Sequence, residues 1–380
     1  PNRRTAPRRH LLVVALTVGL AGHAVADPGL QTRDFDTIVV TATGFEQKIT
    51  DAPASITVVT REELARRPYA NLVDALRDIE GLDVGMESTD KNGEATISMR
   101  GLGSDYTLVL IDGRRQSNVG DLYPNNFGGG QFAFVPPMEA IERIEVVRGP
   151  MSSLYGSEAL GGVVNVITRR STDTWQGAAQ LNGGVREDGR GGQTHQLGVY
   201  TGGPLVPGVI GLSLTGETRR RQETPLHRDT HLSEIEGRDA QSASATLSWT
   251  PDAAQRIDLG FASGEEDRWR NTRTAGRAPV DYESRDRIER ERLSLAHSGD
   301  WAWGKSSVRA YRNSLERNNR YTNGVIPTSP RQELTDDVID GSASLQADTH
   351  LFTLGGEWRK EQLEDRGFAS GDARIIHRAL

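Results

Sequence analysis

Few residues in this 380-residue sequence have the types and spacing that catalysis requires. His227 and His231 are four residues apart, but the segment HRDTH lacks the glutamate that a zinc protease places between its histidines. The glycines on either side of Leu102 lack the spacing for phosphate binding, and no serine lies in a G-x-S-x-G segment. The absence of cysteine excludes thiolate chemistry and disulfides, and the net charge of -7 excludes nucleic-acid binding through bulk positive charge. We therefore expect no enzyme activity.

One long segment has instead the composition of a binding loop. Residues 117–134 are rich in asparagine, glycine and aromatic residues, and two arginines precede them closely. Guanidinium, amide and aromatic groups together can recognise a bulky anionic solute with aromatic rings, through ion pairs, cation–π contacts and stacking. A solvated loop without a ligand has a similar composition, so the residues alone leave both interpretations open. The candidate ligand-binding residues are Arg114, Arg115, Gln116, Tyr123, Asn125, Asn126, Phe127 and Phe132.

Short elements of mixed type surround this loop between residues 51 and 170. Thr60 and Glu63 form a capping box, and apolar residues repeat at helical spacing from Leu72 to Ile79. The sequence therefore predicts a compact α+β domain of roughly 120 residues that is large enough for its own core. The predicted strands are Thr96–Met99, Thr107–Ile111, Ile141–Val147 and Gly162–Thr168.

From about residue 171 to residue 380 apolar and polar residues alternate. In the segment from Ala243 to Trp249 every odd position is apolar and every even position is small and polar. About nine such ribbons follow one another, divided by turn residues or by charged stretches such as Arg219–Glu223 and Gly264–Arg273. Alternation fits either a soluble β-sandwich or a membrane β-barrel. The ribbon lengths, the small polar second face and the recurring long charged stretches favour the barrel.

The N-terminal residues have the pattern of an exported protein. Arginines precede the apolar run Leu11–Leu20, and Ala24-Val25-Ala26 matches a signal-peptidase site, so we expect a signal peptide at residues 1–26. The apolar run is shorter than the ~20 residues that span a membrane. In residues 27–50, after the predicted signal peptide, Ile38–Val40 is the one short run with the residue types of an extended strand. It can belong to a flexible terminus, or it can be a strand that pairs with the sheet edge of a partner protein. Since the first residue is proline and the last ribbon stops without a turn, we expect a piece of a longer protein.

Four stretches, taken together, resemble motifs of one known family. The segment DTIVVTA is similar to a TonB box, and Ile97–Leu102 and Leu108–Arg114 are similar to plug-domain motifs. The segment Ile141–Thr168 resembles the connection from a plug domain into a barrel. The family is that of the TonB-dependent outer-membrane receptors. The shared order of the motifs, between a signal peptide and alternating ribbons, makes the resemblance specific.

The resemblance implies a β fold with an α+β plug, in which the N-terminal plug domain is followed by a transmembrane β-barrel of about 22 antiparallel strands when complete. At this strand count, the ribbons present are only the first nine or so, and the chain is an N-terminal fragment of a receptor in the bacterial outer membrane. The implied domains are the signal peptide at 1–26, a periplasmic extension with the TonB box at 27–50, the plug at 51–170 and the N-terminal part of the barrel at 171–380.

The resemblance also implies the transport function. It implies uptake of a ferric siderophore into the periplasm, energised through TonB, and the loop most resembles that of the receptors for ferric catecholates, the ferric enterobactin and colicin I receptors in particular. Cobalamin and haem receptors share the framework and stay open as alternatives, as does a secreted β-sandwich protein. Iron arrives already chelated, which implies neither a cofactor nor a metal ligand of the protein. Arg100 and Arg148 match plug arginines that pair with barrel glutamates in relatives. The implied TonB-binding residues are Asp36, Thr37, Ile38, Val39, Val40, Thr41 and Ala42.

Overall fold

The computed structural model describes most of the chain after residue 54. The described residues are 55–67, 69, 71–85, 96–103, 106–116, 135–171, 173–274, 276–322, 331–347, 350–365 and 373–379. The predicted signal peptide and TonB box lie outside these residues, as do Tyr123, Asn125, Asn126, Phe127 and Phe132 of the predicted binding loop. The described residues belong to one compact unit.

The first part of the described chain is a small α+β domain, the plug. Its five-stranded sheet has the order β1-β6-β7-β4-β5, and β2 and β3 form a separate hairpin. The pair β4 and β7 is parallel, and the other neighbours in the five-stranded sheet are antiparallel. The elements are β1 (Ser55–Thr60), α1 (Arg61–Arg66), α2 (Leu72–Arg77), β2 (Leu82–Gly85), β3 (Thr96–Met99), β4 (Thr107–Ile111), β5 (Arg114–Arg115), β6 (Ile141–Arg148), α3 (Ser152–Tyr155) and β7 (Gly162–Thr168).

The capping box predicted at the start of α1 is present. The Thr60 hydroxyl accepts a hydrogen bond from the Glu63 backbone N–H, and the Glu63 carboxylate accepts one from the Thr60 backbone N–H at 2.8 Å. Helices α1 and α2 are only six residues each, so their stability comes from packing rather than from helix propensity. Among the described residues, no helix has the length and apolar character needed to cross a membrane.

Both faces of the plug sheet are covered. All five residues of β4 are buried, and β7 is almost continuously apolar, as expected of strands covered on both faces. Strand β6 combines buried apolar residues with four charged ones and is buried mainly from Ile144 to Val147. One face packs against the helices through Leu76 and the other against Met151. Gly162 lies where these layers meet at a φ of 156°, and a Cβ there would collide with Met99 and the Val147 carbonyl. The plug is therefore a packed body with its own core.

The second part of the described chain is a ten-stranded antiparallel sheet, the wall, where about nine strands were expected. Each strand pairs with the next along the sheet, except that the small hairpin β11–β12 lies between β10 and β13 in the sequence. The elements are β8 (Gln176–Gly184), β9 (Thr194–Val206), β10 (Ile210–Arg221), β11 (Thr224–Pro225), β12 (Ser233–Ile235), β13 (Gly237–Asp252), β14 (Gln255–Arg273), β15 (Asp281–Trp301), β16 (Gly304–Tyr321), β17 (Gln332–Ala347), β18 (His350–Asp365) and β19 (Ala373–Ala379).

The wall strands are longer than the sequence pattern indicated. The stretches Arg219–Glu223 and Gly264–Arg273 were expected to divide ribbons, but β10 continues to Arg221 and β14 contains the whole of the second stretch. Strand β14 has 19 residues, whereas about 9–11 suffice to cross a bilayer. The correction has a simple cause: strands that extend beyond the lipid keep their backbone pairing with β15 while their side chains become charged.

The two faces of the wall differ sharply. Leu259, Phe261 and Leu293 lie on the outward face and are about half exposed, whereas Ser248 and Ser294 lie on the inward face and are buried. An apolar outer band with a polar interior is the pattern of a membrane barrel, and not of a sandwich with an apolar core. The confirmed fold class is thus β with an α+β plug.

The two rims of the wall are also different. Connections at 207–209, 253–254 and 302–303 are short, whereas those at 185–193 and 222–236 are long. We call the two rims the short-turn rim and the long-loop rim. Exposed tryptophans lie near the short-turn rim, as in the aromatic girdle at a membrane interface, and they include Trp249 and Trp303.

Candidate functional site

The hairpin formed by β4 and β5 brings the plug to the wall. Asp112 and Gly113 both have positive φ, 51° and 72°, as a tight Asp-Gly turn requires. The Asp112 carboxylate accepts hydrogen bonds from the backbone N–H of Thr168 at 2.8 Å and from its hydroxyl, which fixes the turn to the end of β7. The Asp112 carbonyl accepts a bond from Arg309 of β16 at 3.5 Å. A side chain at Gly113 would collide with the Arg309 guanidinium, so glycine permits this close approach.

Arg115 links the plug to the wall on one side of the hairpin. It is only 9% exposed, and its guanidinium pairs with Glu158 of the plug at 3.0 Å and with Glu357 of β18 at 3.4 Å. Its Nη2 also donates to the Tyr155 carbonyl. Arg359, two residues along the same wall strand, reaches Glu158 from the other side at 3.6 Å. These side chains form one ion-pair network across the contact.

Gln116 links the plug to the neighbouring part of the wall. It is 2% exposed, and its Oε1 accepts hydrogen bonds from Arg290 at 3.0 Å and from Arg292 at 2.7 Å, both on β15. Arg292 also donates from Nε to the Asn313 side chain at 2.7 Å. One neutral amide oxygen thus holds two guanidinium groups of the wall. Such bonds to charged donors are among the stronger hydrogen bonds in proteins.

The structure places the three described loop candidates in this plug–wall contact. Arg115 and Gln116 are buried and bound on several sides, and Arg114 is partly buried beside Asp112 at 3.9 Å. This placement gives Arg115 and Gln116 a seating role and does not favour direct contact with a bulky solute. Ligand binding by the loop therefore stays a prediction.

The two arginines predicted to pair with barrel glutamates are placed differently. Arg148 donates to the hydroxyls of Ser55 and Thr57, both in the neighbouring plug strand, and Arg100 is exposed beside Gly149. Within the described residues, neither arginine pairs with a wall glutamate. Their pairing stays a prediction, and the plug–wall ion pairs that the structure does show were missed by the sequence analysis.

The sequence of β18 contains a pattern that could have identified two of the missed residues, Glu357 and Arg359. Phe352, Leu354 and Trp358 are outward-facing, which puts Glu357 and Arg359 on the opposite, inward face by the period of two. Charged residues on the inward face of a plugged barrel are candidates for plug contacts. The alternation could thus have identified the wall side of the network, although not its partner.

A third contact lies between the plug and β9. Glu139 is buried beside Gly198, where any side chain would collide with the Glu139 carboxylate. Burial raises the pKa of the Glu139 carboxyl, and burial together with the nearby Arg169 guanidinium lowers the pKa of Arg61. Arg61 donates to the carbonyls of Met138 and Ile141, which positions the turn that carries Glu139. The plug is therefore held against the wall at several points around its edge.

Towards the long-loop rim, the inward face carries a buried charged cluster, which we call the inner quartet. Glu266 of β14 is 1% exposed and pairs with Arg238 of β13 at 2.9 Å and with its strand neighbour Arg268. Glu236 lies close to both arginines, at 3.6 Å and 3.8 Å. Two acids and two bases thus compensate each other in a buried part of the wall.

Among the described residues, no group of three or more histidine, aspartate or glutamate side chains is placed to hold a metal ion. The arrangement consists instead of a folded domain fixed by ion pairs and hydrogen bonds to the polar inner face of a sheet whose outer face is apolar. That combination defines a plugged outer-membrane barrel.

Comparisons with known proteins agree with this class. The sequence model of the TonB-dependent receptor plug domain matches residues 48–163. The iron-regulated outer membrane virulence protein of Vibrio cholerae serotype O1 is 32% identical over 360 residues, which are 93% of this chain and 52% of the relative. The ferric enterobactin receptor PirA of Pseudomonas aeruginosa is 29% identical, over 86% of this chain and 49% of the relative. The crystal structure of the siderophore receptor PirA from Pseudomonas aeruginosa has a TM-score of 0.65 at 27% identity, over 86% of this chain and 52% of that one.

The chain belongs to the TonB-dependent outer-membrane receptors, and its place is the outer membrane. It spans about half the length of the curated relatives that it matches. In outer-membrane barrels the short turns face the periplasm, so the short-turn rim is the periplasmic rim and the long-loop rim is the extracellular rim.

We expect Arg115→Ala to loosen the plug in the full-length receptor. The change leaves Glu158 and Glu357 without their shared cation, and because both are about one-third exposed, we expect a cost of about 1–3 kcal/mol. The measurements are the melting temperature in detergent and the rate of proteolysis within the plug. Arg67→Ala, which removes an exposed ion pair with Asp78 and a long hydrogen bond to the Tyr69 hydroxyl, is the control and should change neither value. Equal behaviour of the two variants would contradict a seating role for Arg115.

Proposed function

We propose that the full-length protein takes up a ferric catecholate siderophore across the outer membrane, with energy supplied through TonB. The observation that carries the proposal is the attachment of the predicted binding loop. Residues 117–134 connect Gln116 with Val135, and both of these residues are buried in the plug beside the wall. The loop therefore starts and ends inside the wall's inner face, where a solute entering from the extracellular rim would meet the plug.

The charge of this region supports an anionic solute. Arg114, Arg290, Arg292 and Arg309 lie together around the attachment of the loop, and Arg292 is bound by the neutral amides of Gln116 and Asn313. Ferric catecholate complexes are anionic and aromatic, so guanidinium groups and the loop's aromatic residues suit both properties. The name of the Pseudomonas relative, a ferric enterobactin receptor, points in the same direction.

The position of β1 supports energy transfer through the N-terminal extension. Among the described strands, β1 is at the edge of the plug sheet and pairs with β6 alone, and the predicted TonB box precedes it in the sequence. A partner that adds a strand to the box obtains main-chain hydrogen bonds along it. Force applied through the extension would reach an edge strand, which can separate without breaking the pairing of the central strands.

A solute panel tests the proposal. The full-length receptor is produced in a bacterial strain without other iron-siderophore receptors, and uptake is measured for ferric enterobactin, a ferric hydroxamate, haem and cobalamin. We expect uptake of the ferric catecholate alone, and only in cells that contain TonB. If the receptor took up haem or cobalamin but not the ferric catecholate, the proposed solute would be wrong. If it took up none of the four solutes, the proposed transport function would be wrong.

A further inference from the structure

A cavity of about 600 Å³ between the plug and the inner face of the wall has an unusual charge. Nine of the residues that line it are arginine or lysine, and three are aspartate, although the chain as a whole has more acidic than basic residues. A cleft lined mainly by one sign of charge, with protein walls of low dielectric constant, concentrates ions of the opposite sign. The lining therefore favours an anion over a neutral or cationic molecule.

Five of the nine basic residues are compensated by a carboxylate. The pairs are Arg143–Glu145 at 2.7 Å, Arg169–Glu142 at 4.0 Å, Arg256–Asp258 at 2.9 Å, Lys305–Asp300 at 3.6 Å and Arg309–Asp340 at 2.7 Å. Three of the remaining four are Arg114, Arg290 and Arg292.

The side chain of Gln116 brings these three arginines together. Its Nε2 donates to the Arg114 carbonyl at 3.3 Å, and its Oε1 accepts from Arg290 at 3.0 Å and from Arg292 at 2.7 Å. Arg290 and Arg292 are two residues apart on β15, so both side chains are on the inward face of this strand. A neutral amide thus gathers the guanidinium groups without compensating their charge.

Two of the three guanidinium groups have bonding capacity left. Arg292 donates to the neutral amides of Gln116 and Asn313, and no carboxylate of a described residue lies within ion-pair distance of it. The Nε of Arg114 is buried without a hydrogen-bond partner in the described part of the chain. Its neighbour Asp112, at 3.9 Å, already accepts hydrogen bonds from the end of β7. Buried charges are normally paired, because an isolated charge in a protein interior is costly.

We infer that Arg114, Arg290 and Arg292 bind a small oxyanion of the phosphate class in this cavity. A tetrahedral oxyanion offers several acceptor oxygens at once, and the planar fork of a guanidinium group matches two of them. One such anion bonds to the plug through Arg114 and to the wall through Arg292. It therefore stabilises the seated plug and belongs to the receptor itself, whichever solute the receptor takes up.

Phosphate binding to the purified full-length receptor tests the site. Equilibrium dialysis with radiolabelled phosphate, in detergent and without any siderophore, measures the dissociation constant. We expect saturable binding that Arg292→Met weakens by about tenfold or more, because it removes one of the charged donors. Arg285→Met is the matched control, because Arg285 is on the outward face of the same strand with its side chain 67% exposed, and it should bind phosphate as the unaltered receptor does. The absence of saturable binding to the unaltered receptor, or equal binding by the two variants, would overturn the site.

A second variant keeps the test decisive if Arg292→Met does not fold. Gln116→Glu places a carboxylate where both wall arginines already bind, so the chain itself supplies the compensating charge. When phosphate replaces chloride at equal ionic strength, we expect the melting temperature of the unaltered receptor to rise by about 3 °C or more and that of Gln116→Glu to change by less than about 1 °C. An equal rise in both proteins, or no rise in the unaltered receptor, would contradict the oxyanion site. A failure of the proposed transport function would appear in the solute panel and would leave these measurements unchanged.

Discussion

Val39→Pro is expected to reduce uptake by the full-length receptor to the level of cells without TonB. Proline has no backbone N–H and fixes φ, so it removes a donor from the centre of the predicted pairing segment and disfavours the extended ladder. Loss of about 1–3 kcal/mol in pairing corresponds to roughly fivefold to 150-fold weaker binding of TonB. Surface binding of the ferric siderophore should be unchanged, because we expect the predicted box to face the periplasm, away from the extracellular rim. Uptake and surface binding of ferric enterobactin are the two measurements.

Two controls separate loss of pairing from general damage. Val39→Thr keeps the N–H and the β-branched side chain, and should retain uptake. Gln31→Pro places the same residue type before the box and should also retain it. Uptake at the normal rate by Val39→Pro would remove the assignment of residues 36–42 as the TonB-binding segment, whatever the solute.

The alternation of apolar and polar residues along the sequence predicted most of what the structure shows of the wall. From Ala243 to Trp249 the period of two predicts which residues face lipid, and in β13 the odd positions Leu247 and Trp249 are indeed exposed. Such patterns are local, because each residue's face follows from its neighbours along the strand. The four predicted plug strands are likewise confirmed as β3, β4, β6 and β7, with only the end of β6 one residue longer.

The plug–wall contacts could not be predicted in the same way. Arg115 and Glu357 are 242 residues apart, and their pairing depends on how the plug sits against the sheet. From the sequence, Arg115 and Gln116 carry several hydrogen-bond donors, and such side chains can bind either a ligand or the inner face of the wall. Only the structure shows that their donors and acceptors are used by Glu158, Glu357 and the arginines of β15.

Strand length was underestimated for a related reason. Glu265 and Asp267 are charged and outward-facing, so the local pattern in Gly264–Arg273 indicates a loop. Pairing with β15 extends the ladder through the whole stretch, because each residue there has a partner in register. Tertiary pairing overrides local composition wherever a neighbouring strand is equally long.

The largest effect on stability is expected for Glu266→Ala in the inner quartet. The change leaves Arg238 and Arg268 buried with Glu236 as the remaining carboxylate of the quartet, at 3.6 Å and 3.8 Å. Removing one partner from a buried ion pair costs about 3–5 kcal/mol, and here we expect the lower end of that range because Glu236 still compensates part of the positive charge. We expect the full-length receptor to show a lower melting temperature in detergent and an earlier loss of its compact, heat-modifiable form on electrophoresis.

The adjacent residue provides the matched control. Glu265 has the same side chain on the outward face, where it pairs with Arg287 at 2.6 Å in an exposed ion pair. Exposed pairs contribute about 0–1 kcal/mol, so Glu265→Ala should change the melting temperature little. Glu266→Gln keeps a hydrogen-bond acceptor but removes the charge, and should fall between the two. If Glu266→Ala and Glu265→Ala had the same melting temperature, the inner quartet would stabilise the receptor no more than an exposed ion pair does. Groups outside the quartet would then have to compensate the charge of Arg238 and Arg268.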